Sequence, residues 1–167
     1  MSQIFSPLLK PIFTVPLLLV ILSLSATYYA NAESEQKNVL AVLDKYMDAV
    51  NRIDIEGITD TYHFPHFRVA RGGIVIWNTP QEAMPILGMP RDQQLSAMRE
   101  ALGEEWQRTE WAHKTVIASS ETKVHVDTEF IRYSISDKEL ERVNSLYILT
   151  KENGIWRIKG RSSFSPR

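Results

Sequence analysis

Residues 143–164 decide the fold, and they read VNSLYILTKENGIWRIKGRSSF. Apolar and polar residues alternate on both sides of Asn153-Gly154, a pair that tolerates the positive backbone φ of a tight turn. Two earlier segments with the same period of two, residues 110–119 and 123–134, are joined by short polar breaks. The sequence therefore predicts a meander of four antiparallel strands at its C-terminal end.

Helices are predicted before this meander. Residues 34–54 carry apolar side chains at helical spacing, with Asp54 as the cap of a second short helix that Pro65 ends. The apolar stripe of the first helix comprises Val39, Leu40, Leu43, Tyr46, Met47 and Val50. A short hairpin follows across Arg71-Gly72-Gly73, and two more helical stretches separate it from the meander. This order predicts an α+β fold, in which a curved antiparallel sheet wraps around the N-terminal helices as a cone with one open mouth.

The N-terminal 32 residues form a separate segment. An apolar run follows Lys10 and ends at Ala30 and Ala32, the small-residue pattern of a secretory cleavage site. We therefore expect a signal peptide over residues 1–32, a single domain over residues 33–167, and a periplasmic or secreted protein after cleavage near Ala32. The alternative is an uncleaved membrane anchor, the one case in which a membrane partner is expected.

Composition excludes several classes of function. The chain has no cysteine, which rules out a disulfide, thiol chemistry and a lipid-modified cysteine. Its formal net charge of −1 gives no electrostatic basis for binding nucleic acid. Phosphate-loop, dinucleotide, zinc-protease and nucleophile-elbow motifs are missing, so no cofactor is expected.

Three motifs carry a resemblance to a known family: YMDAVNRIDIEGITDTY at 46–62, HFPHFRV at 63–69 and NGIWRIKGRSSF at 153–164. They resemble the nuclear-transport-factor-2-like superfamily, and within it the SnoaL-like bacterial members, over residues 35–164. The resemblance implies the cone fold. It leaves the function open, because the superfamily includes isomerases, dehydratases, epoxide hydrolases, polyketide cyclases and binders without catalysis.

The resemblance also implies candidate catalytic residues. Dehydratases of this superfamily pair an Asp late in the first helix with a sheet histidine, and that Asp position falls on Asn51 here. His113 is the nearest sheet histidine, and His63 is the other candidate base. An amide cannot stabilise an imidazolium as a carboxylate does, which counts against the dyad. The isomerase scheme needs an Asp in apolar surroundings, whereas Asp127 is expected to point outward, because it alternates with valines.

The motif HFPH gives no metal site. Pro65 prevents a continuous helix face, and an offset of three in an extended chain places His63 and His66 on opposite sides. Residues expected to line a ligand cavity are Tyr46, Asn51, Tyr62, His66, Arg68, Trp77, Arg132 and Tyr147. Arg132 is expected to reach inward at the mouth and bind a carboxylate.

Alternation in the last strand predicts an inner face with Trp156, Ile158, Gly160, Ser162 and Phe164. Arg157, Lys159 and Arg161 are expected on an outer charged face, and the alternative is that they form an anion-binding strip. The leading hypothesis is thus an exported protein that holds a small, partly apolar molecule. The alternatives are a lyase or isomerase with a histidine base, and a non-catalytic domain that forms a homodimer through its outer sheet face.

Overall fold

The computed structural model describes the backbone from Val15 to Phe164 and the side chains from Glu33 to Phe164. Two compact units divide the chain, Met1–Glu35 and Gln36–Arg167. The predicted signal peptide lies outside the residues whose side chains are described, so its cleavage stays a prediction. Among the described residues, no helix has the length and apolar character needed to cross a membrane.

Four helices and six strands are formed by the described residues. In chain order they are α1 (Val15–Arg52), α2 (Ile55–Asp60), β1 (Tyr62–Ala70), β2 (Gly73–Trp77), α3 (Pro80–Ala83), α4 (Arg91–Leu102), β3 (Trp106–Ser119), β4 (Lys123–Ser134), β5 (Glu139–Glu152) and β6 (Ile155–Ser163). The strands form one sheet in the order β2-β1-β6-β5-β4-β3. The α+β fold and the antiparallel meander β3–β6 are confirmed.

One pairing differs from the predicted antiparallel sheet. Strand β1 runs parallel to β6, so the sheet is mixed. These two strands are far apart in the chain. No local pattern encodes their pairing.

The core forms where the apolar stripe of α1 meets the meander. Val39 and Leu43 are fully buried, and they belong to one cluster with Val126, Leu149 and Ile158 of the sheet. Burial of such side chains stabilises the fold by about 1.5–3 kcal/mol each. This packing fixes the helix against the concave side of the sheet.

The short helix after α1 begins as predicted but ends earlier. Asp54 caps α2 as expected, since its carboxylate accepts a hydrogen bond from the Gly57 N–H at 2.9 Å. The helix already ends at Asp60, and Pro65 lies within β1. The β1–β2 hairpin turns at Arg71 and Gly72, both with positive φ, so the loop has two residues.

A shift of register in β6 overturns the predicted face of its second half. Gly160 pairs with Ile148, but Ile158 pairs with Leu149, which leaves Lys159 as an extra residue between them. Such a bulge moves every following side chain to the opposite face. Arg161 therefore faces the concave side, and the prediction that it belongs to an outer charged face is wrong.

Candidate functional site

A cavity of about 810 Å³ lies on the concave side of the sheet. Seven of the predicted ligand residues line it: Tyr46, Tyr62, His66, Arg68, Trp77, Arg132 and Tyr147. Arg161 lines it too, although the sequence analysis placed that residue outside. Helix α1 and strands β1, β4, β5 and β6 thus all contribute polar or aromatic side chains to one space.

Arg161 carries the positive charge of the cavity wall. Its Nη1 donates to the hydroxyl of Tyr46 at 3.1 Å and to that of Tyr147 at 3.0 Å. Burial lowers the pKa of Arg161, but the phenol oxygens of Tyr147, Tyr46 and Tyr62 outweigh this effect and raise the pKa well above its ordinary value. The guanidinium therefore stays charged. No carboxylate pairs with it among residues 33–164.

Arg68 places a second guanidinium beside the first. It is the register partner of Arg161 across the parallel β1–β6 pair, and both side chains line the cavity. Its Nε is buried and has no hydrogen-bond partner in the described part of the chain. Burial, followed by the charge of Arg161, lowers the pKa of Arg68. A buried donor without an acceptor costs about 1–3 kcal/mol, which a bound anion would recover.

The three cavity tyrosines differ in acidity. Burial raises the pKa of Tyr62 and of Tyr147, so both phenols stay protonated. Burial also acts on Tyr46, but Arg161, the Tyr62 hydroxyl and Arg68 outweigh it, and the pKa of Tyr46 is lowered. Tyr46 is consequently the phenol of this cluster that ionises most readily.

His66 is held in a fixed orientation. Its ring stacks on Tyr62 at 4.0 Å between centroids and on Trp77 at 5.7 Å. Nδ1 lies 3.1 Å from the carbonyl oxygen of Ile158. A carbonyl only accepts, so Nδ1 carries the hydrogen and Nε2 keeps its lone pair. Burial is the main cause that lowers the pKa of His66 to about 4, and the imidazole is neutral at physiological pH.

Acidic groups also line the cavity. Arg132 lines the cavity as predicted, but the carboxylate it binds is Glu141 of the same chain, at 2.5 Å from Nη1. Glu100, Glu104 and Glu105, from the end of α4 and the loop after it, also line the cavity. The positive and the acidic side chains of the lining therefore come from different elements.

Asn51 does not line the cavity, contrary to the prediction. Its amide nitrogen donates to the Thr109 carbonyl at 2.9 Å, and its amide oxygen accepts from the Thr109 N–H at 2.8 Å. This two-point bond ties α1 to β3. The sequence analysis missed it because side-chain to backbone bonds between distant elements leave no local pattern.

Neither predicted catalytic histidine lies in the cavity lining. The His113 side chain is 41% exposed, and its Nε2 lies 2.9 Å from Asp127. His63 is buried against β5, with Nδ1 at 3.0 Å from the Thr150 hydroxyl. Asn51 is occupied by the backbone of β3, so the structure does not bring together a helix acid and a sheet histidine. Asp127 itself is half exposed, which does not suit the isomerase scheme.

The outer face of the sheet carries charged pairs. His113 pairs with Asp127, and Arg142 pairs with Glu129. Dimerisation through this face stays a prediction. Within residues 33–164, no three His, Asp or Glu side chains come close enough to hold a metal ion.

A family model described as NTF2-like protein (DUF6841) matches residues 34–163. The chain belongs to this family. Comparison with curated proteins finds no match. The resemblance deduced from the three sequence motifs is thereby confirmed at the level of the superfamily.

Solved structures show the same fold at low sequence identity. An NTF2-like protein from Novosphingobium aromaticivorans shares 11% identity at a TM-score of 0.62, covering 84% of this chain and 88% of that one. A cystatin-like protein of unknown function from Nostoc punctiforme shares 12% at 0.59, covering 78% and 91%. A ketosteroid isomerase-like protein from Erwinia carotovora shares 16% at 0.53, covering 78% and 95%.

Proposed function

We propose that this NTF2-like protein binds a small organic anion, a carboxylate on a flat and partly apolar body. The observation that carries the proposal is the pair Arg68 and Arg161, two neighbouring guanidinium groups that line the cavity without a carboxylate partner among the described residues. A guanidinium presents several N–H donors in a fixed plane, which suits a carboxylate. The unsatisfied Nε of Arg68 supplies a further donor.

Aromatic side chains account for the flat body. Tyr62, Trp77 and Tyr147 line the same cavity, and aromatic rings favour contact with planar apolar groups. A volume of about 810 Å³ falls in the range of small-molecule sites. A wholly apolar ligand would leave the buried Nε of Arg68 without an acceptor.

The test is calorimetric titration of the domain, residues 33–167, with matched acids and amides. Benzoate and cinnamate are expected to bind, whereas neutral benzamide and cinnamamide are expected to bind at least about tenfold more weakly, because they lack the charge that a guanidinium recognises. Equal affinity for acid and amide would contradict the proposal.

Variants of β6 supply the matched control. Arg161→Met removes one of the two guanidinium groups and is expected to weaken the preference for acids markedly, whereas Arg161→Lys keeps the charge and should retain more of it. Arg157→Met removes an arginine from the same strand that does not line the cavity, and should leave the preference intact. Loss of the preference in Arg157→Met but not in Arg161→Met would refute the assignment.

A second candidate function is proton transfer, as in an isomerase or lyase. The lowered pKa of Tyr46 beside Arg161 favours it, because a phenol of increased acidity can give a proton to a bound substrate. The measurement is deuterium incorporation from D₂O into a bound 3-oxo carboxylate, followed by NMR. Incorporation that is lost in Tyr46→Phe would support catalysis. No incorporation above the rate without protein would leave binding as the function.

Export is proposed on the sequence of residues 1–32 alone. Expression of the full chain in a Gram-negative host should yield a periplasmic protein whose N-terminus is Glu33. Recovery of the intact chain in the membrane fraction would favour the anchor instead.

A further inference from the structure

His66 lines the cavity with one ring nitrogen still available. Its ring stacks on Tyr62 and on Trp77, while Nδ1 is bonded to the Ile158 carbonyl. Nε2 has no hydrogen-bond partner among the described residues, and His66 lines the cavity. The ring cannot exchange its two nitrogens without losing the bond to Ile158. His66 therefore offers the cavity a hydrogen-bond acceptor in a fixed position.

This acceptor and the positive wall come from neighbouring positions of the sheet. His66 and Arg68 are two residues apart on β1 and both line the cavity, which places their Cα atoms about 6.5 Å apart. Arg161 is in register with Arg68. One benzene ring spans a comparable distance between a carboxylate and a hydroxyl group in the meta or para position.

From this juxtaposition we infer that the ligand is a hydroxyaryl carboxylate, whose carboxylate lies on Arg68 and Arg161 while its hydroxyl donates to Nε2 of His66. The inference rests on the proposed function and narrows it from organic anions to one chemical class. His66 is then the residue that determines specificity, because it distinguishes a donor from a non-donor at the far end of the ring.

The charge of the surroundings supports an acceptor role. Burial first, and then the charges of Arg161, Lys159 and Arg68, disfavour a proton on His66, so Nε2 presents a lone pair and no N–H at neutral pH. A lone pair repels a second carboxylate at that position. An aromatic dicarboxylate should for this reason bind less well than a hydroxy acid of the same length.

The experiment compares four probes by calorimetry: 4-hydroxybenzoate, 3-hydroxybenzoate, 4-methylbenzoate and terephthalate. At least one hydroxybenzoate is expected to bind about tenfold more tightly than 4-methylbenzoate, the effect of one net hydrogen bond. Terephthalate is expected to bind most weakly. His66→Phe keeps an aromatic ring in contact with Tyr62 and Trp77 but removes the acceptor, so the ratio between the affinities for hydroxy- and methylbenzoate should fall to about one.

His63→Phe is the control, since His63 lies outside the cavity lining, and it should keep the wild-type ratio. Benzoates that bind without any preference for a hydroxyl would overturn this inference and leave the proposed function standing. Failure of every benzoate to bind would overturn both.

If His66→Phe does not fold, ¹⁵N NMR of the wild-type protein tests whether Nε2 of His66 accepts the hydrogen bond. The His66 spectrum should show an unprotonated Nε2 whose resonance moves when 4-hydroxybenzoate is added and does not move with 4-methylbenzoate. A protonated Nε2, or equal shifts with both probes, would contradict the assignment.

Discussion

Acidification should destabilise this protein through His66 before its carboxylates are protonated. The folded state lowers the pKa of His66 from 6.5 to about 4, with burial as the main cause. Between these two values the unfolded chain binds more protons than the folded chain, so stability rises with pH in this window and is lost as the pH falls through it. The side chain is 3% exposed, so solvent screening does not reduce the effect greatly.

The magnitude follows from the two pKa values. Proton linkage predicts that the free energy of unfolding falls by about 2 kcal/mol between about pH 7 and about pH 5. The loss reaches about 3 kcal/mol once His66 is protonated in both the folded and the unfolded state. The lowered pKa values of Glu139 and Glu152 affect stability only at lower pH, because the ordinary pKa of a glutamate carboxyl is 4.5. His63 adds a smaller contribution of the same sign.

Urea denaturation at the two pH values measures this loss in the wild-type domain and in two variants. His66→Phe is expected to be less stable at pH 7, because the Ile158 carbonyl loses its donor, but its stability should change much less on acidification. His113→Phe, which changes an exposed histidine, should retain the wild-type loss. A loss in His66→Phe as large as that in the wild type would refute the reasoning.

Three further predictions concern packing, the α1–β3 bond and the cavity phenol. Gly160→Ala places a Cβ 2.3 Å from the Phe67 ring and should cost about 1–3 kcal/mol, but close to nothing in a Phe67→Ala background, as urea denaturation of the four proteins would determine. Asn51→Asp keeps the acceptor for the Thr109 N–H but loses the donor to the Thr109 carbonyl, so the free energy of unfolding should fall by about 1–3 kcal/mol near pH 7. This loss should shrink as acid protonates the carboxyl, and a loss independent of pH would contradict the assignment. An ultraviolet titration should detect a phenol with a pKa below 10 that is missing in Tyr46→Phe. Anion affinity should decrease over the same pH range, because the phenolate competes for the guanidinium. An identical titration in the variant would assign the lowered pKa to another tyrosine.

The features that the sequence predicted are those with local patterns. The stripe of α1, the Asn153-Gly154 turn and the alternation in β4 each express a preference within about twenty residues, and the structure has all three. Most of the predicted cavity residues also line the cavity, because parity on a regular strand fixes the face of a side chain.

The incorrect predictions concern residues that follow an interruption of strand alternation or whose contact partner is distant in the sequence. Arg161 was assigned to the wrong face because the register shift at Lys159 lies between it and the regular part of β6. Gly160 was the available signal, since a glycine inside a strand often marks a bulge or a close approach of another side chain. The role of Asn51 depends on Thr109, 58 positions away, and no spacing rule reaches that far.

The bulge at Lys159 decides which side chains of β6 face the interior. Without it, simple alternation from Ile158 would bring Gly160 inward and turn Arg161 towards solvent, whereas deletion of Lys159 would remove the bulge and still leave Arg161 opposite Tyr147. Whether this bulge forms thus decides between a cationic and an uncharged interior. Two proteins of this family with nearly identical residues could in this way accept ligands of opposite polarity.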